Sequence, residues 1–225
     1  MGARAFIWIG GALFVASLTA SAWTYLLVFG RPGPFEGWAA WSVDAALITL
    51  FALHHSVCAR EGVKARLARY VSAPLLRSTY VWIASLLLFL VCAAWQRVGG
   101  EIYTATGLLA IALMAIQIVG LWITSRGVAR IDPLELAGIR PATQTQGLQV
   151  NGPYQWVRHP LYLGWMLMTL GAPHMTGDRL TFAAVTTGYL MVAIPWEERS
   201  LRQSFGDRYQ RYARQVRWRM IPFIY

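Results

Sequence analysis

Long apolar segments are the feature that most constrains how this chain folds. Four of them, residues 6–29, 38–53, 79–95 and 103–124, carry almost no charge. A helix needs about 20 apolar residues to cross the roughly 30 Å hydrocarbon core of a bilayer. Because a helix also satisfies its own backbone hydrogen bonds in hydrocarbon, these segments predict membrane-spanning helices.

Two further apolar runs, residues 161–175 and 180–196, flank a short charged turn at residues 177–179. The pattern predicts a helical hairpin whose legs rise about 22 and 26 Å, at about 1.5 Å per residue. The chain should therefore return to nearly the depth at which it entered. Together with the earlier segments, the hairpin predicts an all-α integral membrane protein, a bundle of five to six transmembrane helices.

The hairpin should bring four polar residues together at its base. Arg158 and His159 precede the first leg, and Glu197 and Glu198 follow the second. Charged groups at the edge of a bilayer core are costly unless they are paired or face a wet cavity. We therefore expect a polar pocket there, suited to a zwitterionic ligand. Because the two glutamates are neighbours on a helix, only one should face that pocket.

The tail beyond residue 199 alternates arginines with apolar residues. Phe205, Tyr209, Tyr212 and Val216 recur at spacings of four and three, which places them on one face of a helix. The tail is predicted to be a cytoplasmic amphipathic helix at the membrane interface. Its aromatic face is also suited to closing the pocket.

The basic residues are distributed unevenly about the predicted membrane. With a cytoplasmic amino terminus and six crossings, 17 of the 20 lie inside, and only Arg31, Arg97 and Arg179 lie outside. The positive-inside rule explains this asymmetry, so the net charge of +10 does not indicate a nucleic-acid partner. We expect both termini and the pocket to face the cytoplasm, and some arginines to contact membrane lipid.

The overall composition agrees with one membrane domain. The chain is 56% hydrophobic and 13% charged over 225 residues, which excludes an ordinary soluble domain. We predict a single domain over residues 1–225, with membrane segments in 1–124 and a loop, the hairpin and the tail in 125–225. Residues 125–160 turn repeatedly, and both a lid over the pocket and a plain connection fit that pattern.

Histidine and cysteine patterns give no metal site. His54 and His55 are adjacent, so on a helix their side chains point about 100° apart and do not readily share an ion. Cys58 and Cys92 have no metal-ligand or disulfide spacing. One histidine lining a substrate pocket and a simple interfacial role for both are the alternatives.

The carboxyl-terminal half carries a motif series typical of a known family. The series reads Gly152-Pro153-Tyr154, Arg158-His159-Pro160, Tyr162, Gly164, Glu197-Glu198, Phe205-Gly206, Tyr209 and Tyr212. It resembles the isoprenylcysteine carboxyl methyltransferase and phospholipid methyltransferase superfamily. Residues 51–60 and 77–80 are similar to the corresponding parts of bacterial methanethiol S-methyltransferases. The chain departs from the family after the paired tyrosines, where a Val-Pro step is replaced by Val216-Arg217.

The resemblance implies a methyltransferase that uses S-adenosylmethionine in a cytoplasm-facing pocket of the bacterial inner membrane. It implies that His159, Pro160, Tyr162 and Gly164 contact the cofactor, together with one member of the pair Glu197 and Glu198. The candidate catalytic residues are Arg158, His55 and Tyr154, with Arg158 at the reaction centre. No metal is implied.

The acceptor that the resemblance favours is a small thiol, with methanethiol converted to dimethyl sulfide. A prenylated-cysteine carboxylate or a phospholipid amine is the alternative within the same chemistry. A membrane reductase using NADPH has a broadly similar carboxyl-terminal arrangement, although the chain has no glycine-rich dinucleotide fingerprint. A non-catalytic membrane protein that holds a redox cofactor through His54 or His55 is the remaining alternative.

Overall fold

The computed structural model describes residues 2–58, 60–129, 132–140 and 147–225 of the chain. Helices dominate it, in agreement with the predicted all-α class. In chain order the elements are α1 (Gly2–Trp23), a π-helical turn (Thr24–Val28), α2 (Trp38–Cys58), α3 (Glu61–Leu67), α4 (Ala73–Ala93), β1 (Glu101–Thr104), α5 (Gly107–Val128), α6 (Pro133–Leu136), a 3-10 turn (Gly152–Gln155), α7 (Pro160–Leu170), β2 (His174–Thr176) and α8 (Gly177–Gln215).

Four helical segments of the described chain are long and apolar enough to cross a membrane. They are Gly2–Val28, Trp38–Cys58, Leu75–Ala93 and Gly107–Val128. These spans correspond to the four apolar segments of the sequence and make the chain a multi-pass membrane protein. The hairpin legs are α7 and the first part of α8. Crossing of the membrane by these legs, and hence a total of five or six spans, stays a prediction.

The hairpin differs from its predicted form in its first leg. Helix α7 ends at Leu170, not at Met175, so its 11 residues extend only about 16 Å. Pro173 explains the early end, because proline lacks an N–H group and disfavours helical backbone at the residue before it. The predicted turn at residues 177–179 is instead the first turn of α8.

Strand β2 takes the place of the missing part of that leg and pairs with β1 in a two-stranded sheet. The pairing continues beyond the strands, where the Ala105 amide donates to the Pro173 carbonyl at 2.8 Å. The Gly177 amide donates to the Gly100 carbonyl at 2.9 Å. Non-helical backbone next to apolar segments is thereby hydrogen-bonded, as a membrane protein requires.

The described chain forms two compact units. The first contains the described parts of residues 1–102, 131–143 and 176–182, and the second those of 103–130, 144–175 and 183–225. The prediction of a single domain stays a prediction.

In the first unit, arginines bind backbone carbonyls at the end of the π-helical turn. Arg179 donates to the Leu26 carbonyl at 2.8 Å, and Arg97 donates to the Pro32 carbonyl at 2.5 Å. Arg97 also approaches the carbonyl of Arg31 at 3.5 Å. Arg31, Arg97 and Arg179, which were predicted to lie on the non-cytoplasmic side of the membrane, are therefore found at one end of this unit.

In the second unit, α5 and α7 cross at glycines. A Cβ added to Gly164 would lie 2.7 Å from the carbonyl oxygen of Gly120, so only glycine permits this approach. Beside the crossing, the Gln117 side chain donates to the Met168 carbonyl at 2.8 Å. These contacts at Gly164 and Met168 fix the position of α7, whose first turn carries part of the candidate site.

Candidate active site

A cavity of about 210 Å³ lies at the base of the hairpin, within the second unit. Its walls come from three parts of the chain: Gly147 to Gln149 with Tyr154, the residues that begin α7, and one face of α8 between residues 197 and 212. The described end of the predicted lid thus lines the cavity. Residues 130, 131 and 141–146 of that predicted lid lie outside the described residues.

The polar residues of the hairpin base meet as the returning legs predict. The Arg158 Nε atom lies 2.6 Å from Oε1 of Glu198. His159 Nδ1 lies 3.4 Å from Oε2 of Glu197, and the Tyr162 hydroxyl donates to the same oxygen at 2.7 Å. The structure therefore brings together five residues that the sequence placed at the site.

The two glutamates have different surroundings. The Glu197 side chain is 43% exposed and lines the cavity, whereas the Glu198 side chain is 1% exposed. Helix geometry explains the difference, because neighbouring residues point about 100° apart. Glu197 is therefore the carboxylate that a ligand in the cavity can reach. Glu198 faces the protein, so of the two glutamates that the sequence left as alternatives, Glu197 is the one that lines the cavity.

Glu198 is surrounded by basic side chains. Besides Arg158, its carboxylate lies 3.4 Å from Arg202, 3.7 Å from Arg219 and 3.6 Å from His159 Nε2. Burial opposes its ionisation, but the contacts with His159 and Arg158 outweigh burial and lower the pKa of Glu198 to about 2. Glu198 is therefore a buried anion at neutral pH.

Arg158 connects the hairpin base to the tail. Its Nη1 atom donates to the carbonyls of Val216 and Arg217, at 2.8 and 2.9 Å. Its backbone amide donates to the Trp218 carbonyl at 2.9 Å, and the next amide, that of His159, donates to Arg219 at 2.7 Å. The tail is thus held against residues 158 and 159, although it lacks the Val-Pro step of the family. Arg158 lines the cavity as well, but most of these contacts position the tail.

His159 is an imidazole enclosed by carboxylates. It is 5% exposed and stacks on the Tyr162 ring at 5.3 Å. Burial alone would lower the pKa of His159, but the carboxylates of Glu197 and Glu198 raise it above its ordinary value. A positive charge is therefore favoured at the cavity wall. The Nε2 atom has no hydrogen-bond partner within the part of the chain that the structure describes.

Tail aromatic residues form the opposite wall, as the apolar stripe of the sequence predicts. Phe205, Tyr209 and Tyr212 line the cavity, and the Tyr212 hydroxyl donates to the Tyr154 carbonyl at 2.7 Å. Tyr209 is 1% exposed, and its hydroxyl has no hydrogen-bond partner among the described residues. Burial, with the charge of Glu197, raises the pKa of the Tyr154 hydroxyl, so this phenol stays protonated at neutral pH.

A bend in α8 gives the tail its direction. Gly206 has φ 50° and ψ −128°, a backbone conformation open essentially to glycine alone. Beyond it, Tyr209, Tyr212 and Val216 pack with Leu148 in a buried cluster. Sequence patterns did not identify Leu148 or Leu201 as wall residues. The stripe spacing could have found Leu201, which precedes Phe205 by four positions.

Of three further predicted site residues, Pro160 lines the cavity, whereas Gly164 and His55 are not among its lining residues. Gly164 contacts α5 and is not among the residues that line the cavity, whereas Pro160 begins α7 and does line it. His55 belongs to the first unit, where its Nδ1 lies 2.6 Å from the Tyr80 hydroxyl. Its catalytic role stays a prediction. Within the described residues, no group of three or more His, Cys, Asp and Glu side chains could hold a metal ion.

The known proteins to which this chain is similar are methyltransferases. Residues 105–208 match the phospholipid methyltransferase family. The chain is 39% identical over 191 residues to a methanethiol S-methyltransferase of Crocosphaera subtropica, which covers 81% of this chain and 74% of that protein. A Mycobacterium tuberculosis methanethiol S-methyltransferase is 36% identical over 184 residues, covering 77% and 75%. A protein-S-isoprenylcysteine O-methyltransferase B of Arabidopsis thaliana is 35% identical over 80 residues, covering 34% and 40%. No solved structure matches the chain significantly.

Proposed function

Because the chain belongs to the methanethiol S-methyltransferases, within the phospholipid methyltransferase superfamily, we propose that this membrane methyltransferase converts methanethiol to dimethyl sulfide with S-adenosylmethionine. The observation that carries the proposal is the hairpin base. There an imidazole with a raised pKa and an accessible carboxylate face one cavity, with aromatic side chains opposite.

The residues present fit the proposed methyl donor. S-adenosylmethionine has an ammonium, a carboxylate and a sulfonium. Glu197 lines the cavity and suits the ammonium, and a protonated His159 suits the carboxylate. His159, Glu197 and Tyr209 all line the cavity, so a polar ligand there has an imidazole, a carboxylate and a phenol within reach.

When bound, S-adenosylmethionine supplies an electrophilic methyl group on a sulfonium. Methanethiol would give up its proton to solvent and its sulfur would take the methyl group, leaving S-adenosylhomocysteine as the product of the donor. The protein has little covalent chemistry to perform. His159 and Glu197 hold and orient the donor, and the aromatic wall of Tyr154, Phe205 and Tyr209 excludes water, so alignment and desolvation provide the acceleration.

The acceptor must be ionised to react, because the thiolate is the nucleophile. A thiol has a pKa of about 8.5 or higher in water. Formation of dimethyl sulfide should therefore rise as the pH approaches the pKa of the thiol. In this proposal Arg158 is a positioning residue that holds the tail, and Tyr154 is a neutral wall residue.

The bacterial relatives support a location in the inner membrane, and the distribution of basic residues supports an orientation with both termini and the cavity in the cytoplasm. Of the 20 basic residues, 17 lie on the inner side if the hairpin crosses twice. The seven arginines of residues 199–219 are the largest group.

The test uses purified full-length protein in detergent. We expect calorimetric binding of S-adenosylhomocysteine and no binding of NADPH. Headspace analysis should find dimethyl sulfide after methanethiol and S-adenosylmethionine are added. Methyl transfer to a prenylcysteine or extracted lipid, without dimethyl sulfide, would contradict the thiol acceptor and leave the methyltransferase assignment intact. The partial match to the Arabidopsis enzyme makes the prenylcysteine assay the necessary comparison.

Two variants test the site residues. His159→Ala and Glu197→Ala should each weaken S-adenosylhomocysteine binding while the protein stays folded. Gln149→Ala is the matched control, because Gln149 also lines the cavity but carries no charge. Equal affinity in all three variants would contradict the placement of the donor at this wall.

A further inference from the structure

The tail helix has a strongly basic face that the proposed reaction does not use. Residues 199–225 contain seven arginines and one acidic side chain, Asp207. Beyond the bend at Gly206, Arg208, Arg211 and Arg214 recur at intervals of three and are exposed. The buried residues Tyr209, Tyr212 and Val216 take the other face. One helix therefore has a cavity wall on one side and a row of guanidinium groups on the other.

The end of the tail packs at the level where span α5 ends. Met220 and Ile123 belong to one buried cluster, and Ile123 lies five residues before the end of α5 at Val128. Near that end Trp122 stacks on Trp156 at 5.9 Å, and both rings are about half exposed. Exposed tryptophans at the end of a span are typical of the headgroup region.

Exposed apolar residues follow the basic helix. Phe223 is 84% exposed and Ile224 is 77% exposed, although both lie in the folded end of the chain. The Met220 amide donates to the Tyr225 carbonyl at 2.9 Å, so the backbone loops back and presents these two side chains outward. Arginines combined with exposed aromatic and aliphatic residues suit an anionic membrane surface, because the arginines pair with headgroups while the apolar side chains enter the interface.

We propose that the tail, through Arg208, Arg211, Arg214, Phe223 and Ile224, docks on anionic lipid headgroups and that this contact holds the cavity closed. The coupling follows from the helix itself, since it also carries Tyr209 and Tyr212. Lipid that fixes the basic face therefore also fixes the aromatic wall. Docking of the tail is independent of the substrate, whereas its effect on ligand affinity rests on the proposed function.

The test compares full-length protein in nanodiscs of phosphatidylcholine with nanodiscs that also contain phosphatidylglycerol. Hydrogen–deuterium exchange of residues 207–217 reports on the tail without any ligand. We expect exchange to be slower by at least about tenfold with the anionic lipid, because each of the three arginines near such a surface contributes up to roughly fivefold in binding. High salt should reverse the effect, because it screens exposed charges.

Matched variants separate the tail from general charge. The variant Arg208→Gln/Arg211→Gln/Arg214→Gln should lose the lipid effect. The control variant Arg60→Gln/Arg66→Gln/Arg69→Gln removes the same charge from exposed positions around α3 and should keep it. Equal exchange in both lipids, retained protection in the tail variant, or equal loss in the control variant would each overturn the proposal.

A second readout connects the tail to the cavity. Anionic lipid should tighten S-adenosylhomocysteine binding by severalfold in the unchanged protein and not in the tail variant. If the tail is protected by lipid but no nucleoside binds, the docking surface stands and the proposed function fails. If the nucleoside binds and tail exchange ignores the lipid, the docking surface fails and the proposed function stands.

Discussion

Replacement of Glu198 by glutamine should destabilise the protein far more than the same change at Glu197. The Glu198 carboxylate is the 2.6 Å partner of Arg158, whose side chain is only 8% exposed. The variant keeps the shape of the side chain and removes its charge. It leaves a buried guanidinium without its ionic partner at the point where Arg158 holds the tail carbonyls.

Two estimates of the loss in unfolding free energy caused by Glu198→Gln agree. Breaking a buried ion pair by removing one partner costs about 3–5 kcal/mol. A carboxyl whose pKa falls from 4.5 to about 2 gains about 3 kcal/mol in its charged form. For a protein of this size, that loss corresponds to a fall in Tm on the order of 10 °C.

The assay is thermal unfolding of purified full-length protein, together with hydrogen exchange of residues 216–220. Glu198→Gln should lower Tm and speed exchange in the tail. Glu197→Gln, the control, should leave Tm within about 3 °C, since its side chain is 43% exposed and exposed pairs contribute at most about 1 kcal/mol. Equal Tm values for the two variants would refute the reasoning, as would unchanged tail exchange in Glu198→Gln.

Three further predictions follow from the same region. The pKa of Glu198 is lowered to about 2, so the contribution of its charge to stability is complete above pH 4.5 and is lost as the pH falls toward 2. The Tm of the unchanged protein should therefore drop across that pH range, and the Tm of Glu198→Gln should drop less. In thermal unfolding, Gly164→Ala should destabilise the protein by about 2 kcal/mol or more, because the added methyl group overpacks against the α5 backbone. Gly188→Ala is the control: an added Cβ there has no atom within 4 Å, so the change should be neutral or stabilising by up to about 1 kcal/mol. Tyr209→Phe should lower Tm by no more than about 3 °C, since the Tyr209 hydroxyl interacts only weakly with the buried Glu198 carboxylate. It should weaken S-adenosylhomocysteine binding by up to about tenfold in calorimetry, and unchanged affinity would show that the hydroxyl does not meet the ligand.

The spans and the meeting at the hairpin base could be predicted because they depend on local properties of the sequence. Segment length and apolar character fix a membrane helix wherever it packs. The return of the chain brings Arg158 and His159 to Glu197 and Glu198 for a wide range of hairpin geometries. The tail stripe is also local, because helix periodicity alone places Tyr209 and Tyr212 on one face.

The features that the sequence did not predict depend on distant partners. The end of α7 at Leu170 reflects Pro173 and also the pairing of residues 173 and 105, which no local pattern reveals. The burial of Glu198 depends on the rotation of α8, which is fixed by basic residues from both the loop and the tail. Gly164 belongs to a motif series that suggested a ligand contact, yet its packing follows from Gly120 on another helix.

The bend at Gly206 makes the number of residues in the tail as important as their identity. Tyr209 lies three residues beyond the bend, and Arg208 and Arg211 flank it in sequence. One residue inserted or deleted between Gly206 and Tyr209 would rotate the following helix by about 100°. The rotation would turn the aromatic wall away from the cavity and bring arginines toward it. Side chains in this segment can vary within their chemical class, but its length cannot change without exchanging the two faces of the helix.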